Sequence, residues 1–267
     1  MPSEQHLIVR IREAVATVLL NRPERHNAFD DTLIESLSRT LEDLERDHRV
    51  RALVLTGAGK SFSAGADIHW MQRMAAYTRE ENHRDALGLA RLMDILYRFT
   101  KPTIARVHGA AVGGGVGLVA ACDIALAAPT ARFCLSEVRL GLIPAAIAPY
   151  VIGAMGARQA RRYFTTAERF DAREAQRIGL VHEVAEDEAD LDTRIETLLQ
   201  GLRRNGPQAM QAAKALVRDV AGRPIDEPLI RDTADRIARL RVGEEGQEGL
   251  TAFLEKRDPL WCPTATD

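Results

Sequence analysis

The chain has 267 residues, of which 46% are hydrophobic, and a formal net charge of −2 without any block of like charges. Such a chain can bury a sizeable core, and its charge balance argues against nucleic acid or an anionic membrane as the main partner. No stretch approaches ~18 consecutive apolar residues, and the first residues do not resemble a signal peptide. Cys122, Cys134 and Cys262 lack metal or redox spacing, so we expect reduced thiols in a cytoplasmic protein.

Apolar periodicity predicts strands and helices in alternation over residues 1–190, which is typical of a layered α/β core. The predicted strands are Leu7–Ile11, Val15–Leu20, Ala52–Thr56, Thr103–Val107 and Asp123–Ala127. The predicted helices are Asp31–Asp47, Asn82–Phe99, Gly114–Ala121, Gly156–Phe164 and Ala172–Ile178. From about Ala189 onward the pattern is helical only, with a break at Asn205-Gly206-Pro207. Residues 191–267 are therefore predicted to form a C-terminal helical region.

Two glycine-containing segments superficially resemble nucleotide-binding motifs. Gly57–Ser61 (GAGKS) lacks the first glycine of a phosphate loop, which should lie five residues before Gly59, because Val54 stands there. The run Gly113–Gly117 (GGGVG) does not have the spacing of a dinucleotide fingerprint, and Glu137, at the distance of the usual acidic partner, does not close an apolar strand. Neither segment therefore predicts a nucleotide site.

The two segments rich in small residues, Gly109–Asp123 and Ser61–Ile68, suggest a different kind of binding site. Glycine lets backbone N–H groups approach a ligand closely, and a helix that begins at such a turn favours negative charge. Two turns of this kind can each give an N–H donor to one oxygen, as an oxyanion hole requires. Glu137, in mostly apolar surroundings, is a candidate acid–base group. Tight helix-to-strand packing is the alternative explanation of the glycine run.

Together these segments resemble the crotonase family, also called the enoyl-CoA hydratase/isomerase superfamily. The resemblance implies an α/β crotonase fold, a spiral of ββα units with a C-terminal helical trimerisation region. It covers almost the whole chain, through LLNRPERHNAF at 19–29, SFSAGADI at 61–68, KPTIARVHGAAVGGGVGLVAACDIALA at 101–127, SEVRLGLIP at 136–144, AREAQRIGLVHEV at 172–184 and EGLTAFLEKRDPLW at 248–261.

The resemblance also implies a set of binding residues for an acyl-CoA thioester. The two oxyanion-hole N–H groups fall on Ala64 and Gly114. Coenzyme A enters as part of the substrate, without a tightly bound cofactor or a metal. The residues expected near its adenine and pyrophosphate are Arg25, Ala28, Ala66, Asp67 and Ile68.

The C-terminal match implies self-association as a trimer or a dimer of trimers. In the family, the residues that match Phe253 and Lys256 reach the coenzyme A of a neighbouring subunit. An ordinary solvated charge is the alternative interpretation of Lys256.

The acidic residues do not decide between hydration and double-bond isomerisation. Family hydratases use two glutamates, and the second matches Glu137, whereas Gly117 stands at the position of the first. One carboxylate suffices to move a proton within a substrate, so glycine at this position lowers the expectation of hydration and raises that of double-bond isomerisation.

Finer similarity favours a hydratase nonetheless. The run Phe133–Pro144 resembles bacterial methylglutaconyl-CoA hydratases, so a branched, carboxylated enoyl-CoA such as 3-methylglutaconyl-CoA is the expected substrate. We hypothesise that the vacancy at Gly117 makes room for substrate or water. Arg139 either steers the substrate carboxylate or forms a structural ion pair near the trimer contact, the latter being favoured.

A binder without catalytic activity is the least favoured alternative. It would hold acyl-CoA, or RNA as one mammalian hydratase of the family does through a lysine-rich helix. The matching helix, Asp31–Asp47, contains Arg39 and Arg46 but no lysine, so RNA binding is not expected.

Overall fold

The computed structural model of the chain describes residues 6–263. These residues form two compact units, which are described separately below. The first joins the chain up to Phe99 with Thr103–Glu196, and the second joins Thr100–Pro102 with the chain from Thr197 onward. The helix Glu188–Arg203 runs through residue 190, where the sequence predicts the end of the core. Among the described residues, no helix is both long and apolar enough to cross a membrane.

Ten strands lie in the described part of the first unit. They are β1 (Leu7–Arg12), β2 (Val15–Leu20), β3 (Ala52–Gly57), β4 (Ser61–Ser63), β5 (Thr103–Val107), β6 (Ala110–Val112), β7 (Ile124–Ala127), β8 (Arg132–Cys134), β9 (Phe170–Asp171) and β10 (Glu183–Val184). Six of them form one sheet in the order β1-β2-β3-β5-β7-β10, in which only the β1–β2 pair is antiparallel. This sheet carries much of the buried apolar core.

A second sheet has the order β4-β6-β8-β9. Strands β4, β6 and β8 are parallel, and Val112 of β6 pairs with Cys134 of β8. The carboxyl ends of parallel strands meet at the same edge of a sheet. The segments that follow β6 and β8, which begin at Gly113 and Leu135, therefore leave the sheet side by side.

Helices cover the sheets of the first unit. They are α1 (Asp31–Arg46), α2 (Ile68–Met74), α3 (Arg79–Arg98), α4 (Gly114–Ala121), α5 (Ala148–Thr166), α6 (Ala172–Arg177) and the start of α7 (Glu188–Arg203). The first of them shows how the sequence specifies an element. Leu33, Leu37 and Leu41 recur on one buried face, and the Asp30 side chain accepts from the Leu33 N–H at 2.8 Å as the N-cap.

The second unit is helical apart from its turns, as the sequence predicts. It contains the end of α7, then α8 (Pro207–Val220), α9 (Glu227–Val242) and α10 (Glu244–Glu255). Gly206 and Pro207 begin α8 because proline is favoured in the first turn of a helix. Several large apolar side chains of this unit are exposed, including Val217, Ile225, Val242, Phe253, Leu254 and Leu260.

The prediction of an α/β core is confirmed, and the long elements agree closely with it. The bounds of β2, β5 and α4 are those predicted, whereas α5 begins at Ala148 and not at Gly156. The sequence missed the second sheet entirely, because its strands have only two or three residues each. Ser61–Ser63 was expected to be part of a turn and is a strand.

Candidate functional site

The glycine run forms the junction between β6 and α4. Gly113 is the N-cap of α4 with φ +52° and ψ −116°, a conformation that favours glycine. Its N–H donates to the Cys134 carbonyl oxygen at 2.9 Å, which ties the turn to the end of β8. Gly114 follows as the first residue of α4, so its N–H lies among the helix N-terminal donors that have no partner within the helix.

The second turn packs directly on the first. A Cβ placed on Gly65 would lie 3.0 Å from the Val112 carbonyl oxygen, and a Cβ on Gly115 would lie 2.6 Å from that of Ser63. Only glycine permits this close approach at the two positions. The small residues therefore serve both packing and access to backbone, and the two explanations offered by the sequence do not exclude each other.

Phe29 connects the donors of the two turns. Its ring would lie 3.1 Å from a Cβ on Gly114, while its backbone forms a parallel bridge with Ala66. The Phe29 N–H donates to the Gly65 carbonyl at 2.6 Å, and the Asp67 N–H donates to the Phe29 carbonyl at 2.7 Å. In this pattern the residue between Gly65 and Asp67 directs its own N–H away from Phe29.

This arrangement corrects one of the expected oxyanion donors. The Ala64 N–H donates to the His26 carbonyl oxygen at 2.9 Å and is thus already used within the protein. The Ala66 N–H has no acceptor among the described residues. Ala66, expected from the sequence only as a coenzyme A contact, is therefore the available donor of this turn, and Ala64 is not.

Glu137 lies beside the glycine turn. It begins a short 3-10 helix, Glu137–Leu140, shortly after β8, and its Oε1 would lie 3.0 Å from a Cβ on Gly113. Its Oε2 is buried and has no hydrogen-bond partner within residues 6–263. Burial raises the pKa of the Glu137 carboxyl above its ordinary value. A half-buried acid next to backbone donors is suited to proton transfer at a bound substrate.

Gly117 is not a vacancy, contrary to the hypothesis drawn from the sequence. A Cβ there would lie 2.3 Å from Ile147 Cγ2 and 3.2 Å from Met93 Cε. Both neighbouring side chains are fully or almost fully buried. The space that an acid side chain would enter is therefore filled with hydrocarbon and does not hold room for substrate or water.

The residues expected to bind coenzyme A form a contiguous group. Arg25 and Asp67 form an ion pair at 3.2 Å, and Asp67 caps α2 by accepting from the His69 N–H at 2.8 Å. Ala28, three residues after Arg25 in the chain, is buried. Ile68, at the start of α2, is 71% exposed. An exposed guanidinium and an exposed apolar side chain beside a helix N-terminus suit a phosphate-bearing ligand with an aromatic base.

Sequence reasoning missed the residues that hold this group in place. Arg22 is only 3% exposed, and its guanidinium donates to the Ala28 carbonyl at 2.9 Å and pairs with Asp30 at 2.8 Å. The buried Asn27 side chain donates to the carbonyls of Ala58 and Ser61 at 2.9 and 2.7 Å. The one available signal was polar residues inside the segment LLNRPERHNAF, between a strand and a helix.

Three further residues are singled out by the sequence, namely Arg139, Phe253 and Lys256. Arg139 donates to the Ala167 carbonyl oxygen at 2.5 Å, which gives the side chain a structural partner within the first unit. In the second unit, Phe253 is 81% exposed and Lys256 ends α10 in a left-handed conformation. Among the described residues, no group of His, Cys, Asp or Glu has the arrangement of a metal site.

Comparisons with known proteins agree with this chemistry. The family described as enoyl-CoA hydratase/isomerase matches residues 10–263. A putative enoyl-CoA hydratase of Thermus thermophilus is 38% identical, over 92% of this chain and 96% of the relative. The 2,3-dehydroadipyl-CoA hydratase of Escherichia coli is 33% identical, over 95% of this chain and 97% of the relative.

Solved structures share the whole fold. The crystal structure of an enoyl-CoA hydratase from Shewanella pealeana superposes with a TM-score of 0.94 at 47% identity, covering 97% of each chain. At this level of similarity the α/β core and the C-terminal helices are those of the crotonase fold.

Proposed function

Since the chain belongs to the enoyl-CoA hydratase/isomerase family, we propose that it adds water across the 2,3 double bond of an enoyl-CoA thioester. The observation that carries this proposal is the position of Glu137, whose half-buried side chain lies beside Gly113 at the start of α4 and whose Oε2 is buried without a hydrogen-bond partner among the described residues. A proton-transfer group and backbone donors thus meet at one point.

The proposed oxyanion hole consists of the N–H groups of Ala66 and Gly114. Neither N–H has a backbone acceptor among the described residues. Phe29 lies beside both residues, because its ring is next to Gly114 and its backbone pairs with Ala66. They would hold the thioester oxygen as negative charge develops on it. Such donors act more strongly in a site that excludes water than they do in water.

One carboxylate is sufficient for the complete hydration. Glu137 takes a proton from water while the water oxygen bonds to C3, and the electron pair of the double bond moves through C2 to the thioester oxygen. The resulting carboxylic acid then returns that proton to C2, and the carbonyl re-forms. The substrate gains one water, and Glu137 ends as it began, ionised.

Coenzyme A recognition is proposed for the exposed part of the Arg25–Ile68 region. Arg25 would contact phosphate, and Ile68 would contact the adenine face. Asp67 supports this surface by capping α2, and Ala28 does so through its carbonyl bond to Arg22.

The acyl group is proposed to be branched and carboxylated, with 3-methylglutaconyl-CoA as the leading candidate. One relative is named for a 2,3-dehydroadipyl thioester, which also has a second carboxyl group. The test is incubation with a panel of enoyl-CoA thioesters, including 3-methylglutaconyl-CoA, and detection of the hydrated product by mass. If enzyme at saturating concentration hydrates no member of the panel, the proposed function is wrong.

Double-bond isomerisation is the second candidate. It is favoured by the packing of Gly117 against Ile147, which leaves Glu137 without a second acid at that position. A 3-enoyl-CoA in the same panel distinguishes the two reactions, because an isomerase converts it to the conjugated 2-enoyl-CoA without gain of water.

Self-association is proposed for the second unit. Its helices expose Val242, Phe253 and Leu254 by more than three-quarters each, and exposed apolar surface of this kind is typical of an interface. A trimer or a dimer of trimers is the expected state, with Phe253 and Lys256 directed to a neighbouring subunit's coenzyme A. Light scattering on the parent and on Phe253→Asp tests this, and a monomeric parent protein would contradict it.

A further inference from the structure

We propose that Ile147 is a specificity-determining residue that keeps this active site to a single carboxylate. Its side chain fills the volume into which any side chain at position 117 would project. This inference rests on the proposed function for its catalytic consequence, but its steric part concerns the folded protein alone.

Position 117 lies one helical turn from the glycine turn that Glu137 approaches. Gly117 lies one helical turn after Gly113, and its N–H donates to the Gly113 carbonyl at 3.2 Å. Residues three or four apart lie on the same face of a helix. A side chain at 117 would thus start one turn beyond the glycine turn, on the side of α4 that Ile147 covers.

Ile147 blocks that path more firmly than Met93 does. A Cβ at position 117 would overlap both Cγ2 and Cβ of Ile147, at 2.3 and 2.8 Å, but only the terminal Cε of Met93, at 3.2 Å. Methionine can move its flexible end, whereas a β-branched side chain has few alternative rotamers.

The backbone of Ile147 is also fixed. It is the N-cap residue of α5, and its carbonyl accepts from the N–H groups of Tyr150 and Val151 at 3.2 and 3.1 Å. The residue is 2% exposed. Neither the side chain nor the main chain at 147 can therefore retreat without disturbing the start of α5.

The catalytic consequence is that a second acid requires two coordinated substitutions. Gly117→Glu alone places carbon atoms inside Ile147. Removing the side chain with Ile147→Gly opens the space, and glycine is tolerated at a helix N-cap. In the combined variant, one carboxylate can activate water while the other protonates C2, so hydration no longer depends on Glu137 for both transfers.

The steric part is tested by a double-mutant cycle of urea unfolding with Gly117→Ala and Ile147→Gly, which needs no substrate. We expect Gly117→Ala to lower the unfolding midpoint in the parent and to raise it in the Ile147→Gly background, where alanine's helix preference is no longer opposed. The matched control is Gly153→Ala in α5, where a Cβ meets nothing within 4 Å and the midpoint should not fall. An equal effect of Gly117→Ala in both backgrounds would overturn the proposal.

The catalytic part is tested by the ratio of hydration to isomerisation on the thioester panel. Gly117→Glu with Ile147→Gly should raise this ratio at least ~10-fold over Ile147→Gly alone, since a second general acid–base group contributes ~10² or more. A folded double variant with an unchanged ratio would refute the specificity role. A parent protein that converts no enoyl-CoA would instead refute the proposed function, while the unfolding cycle still decides the steric part.

Discussion

The carboxylate of Glu137 lies in the space into which a side chain on Gly113 would project. Oε1 of Glu137 would lie 3.0 Å from a Cβ on Gly113, a residue that also has a positive φ of 52°. One glycine thus fulfils two requirements, since it turns the chain into α4 and leaves space for the acid. The carboxylate of Glu137 therefore lies close to the N-terminus of α4.

Gly113→Ala is expected to reduce kcat strongly. The added Cβ displaces the Glu137 carboxylate, and a misplacement of about 1 Å costs ~10²-fold. The measurement is steady-state turnover of whichever enoyl-CoA the panel identifies. Gly141→Ala is the control. Gly141 also has a positive φ, of 70°, and it ends the 3-10 helix that Glu137 begins, but a Cβ there would meet nothing within 4 Å. Equal loss of turnover in both variants would contradict a specific role of the Gly113 contact.

Glu137→Gln is expected to lower turnover by ~10² to 10⁴-fold with little change in coenzyme A affinity, because the amide cannot accept a proton as a base. In the parent, the base must be ionised. Since burial raises its pKa, the acid limb of the kcat/KM profile should lie above the ordinary glutamate value of about 4.3. Turnover by the variant at the parent's rate would exclude Glu137 as the proton-transfer group.

The same substitution should stabilise the protein at neutral pH. The folded-state pKa of Glu137 is raised, so the folded state binds its proton more tightly than the unfolded chain does. The carboxyl thus lowers stability progressively as the pH rises from the unfolded-state pKa through the folded one. Denaturant unfolding should show Glu137→Gln gaining stability over the parent at pH 8 relative to pH 4. A difference independent of pH would contradict the raised pKa.

Backbone ester substitution distinguishes the two alanines of the second turn. Replacing Ala66 with lactic acid removes an N–H that has no protein acceptor within residues 6–263. Loss of one oxyanion donor is expected to reduce kcat by ~10²–10³-fold. The same replacement at Ala64 removes the bond to the His26 carbonyl and should cost about 1 kcal/mol of stability. A larger loss of kcat from the Ala64 ester would restore the original assignment of Ala64.

Arg22→Ala and Arg25→Ala should separate stability from binding. The Arg22 side chain is 3% exposed and pairs with Asp30 at 2.8 Å, so its removal leaves a poorly compensated carboxylate and should cost ~3–5 kcal/mol in urea unfolding. Arg25 is 47% exposed, and its pair with Asp67 should contribute less than ~1 kcal/mol. Arg25→Ala should instead raise KM for the acyl-CoA several-fold. An unchanged KM would remove Arg25 from the coenzyme A site.

The sequence by itself determined the family and the α/β core, and it singled out Glu137 as the candidate acid. Apolar runs and the turn residues that flank them placed β2, β5 and α4 at their observed bounds. The identity of Glu137 and the glycine turn followed from residue types and their spacing alone, because both are properties of local chain order.

Only the tertiary structure decided which N–H points into the site and what fills the position of the missing acid. Ala64 and Ala66 are nearly equivalent in sequence, but pairing with His26 and Phe29 uses the first N–H and leaves the second available. Because Gly117 has no side chain, the sequence suggests open space beside it, but Ile147, thirty residues later, occupies that space. Hydrogen-bond direction and side-chain packing depend on segments distant in the chain, and no local pattern encodes them.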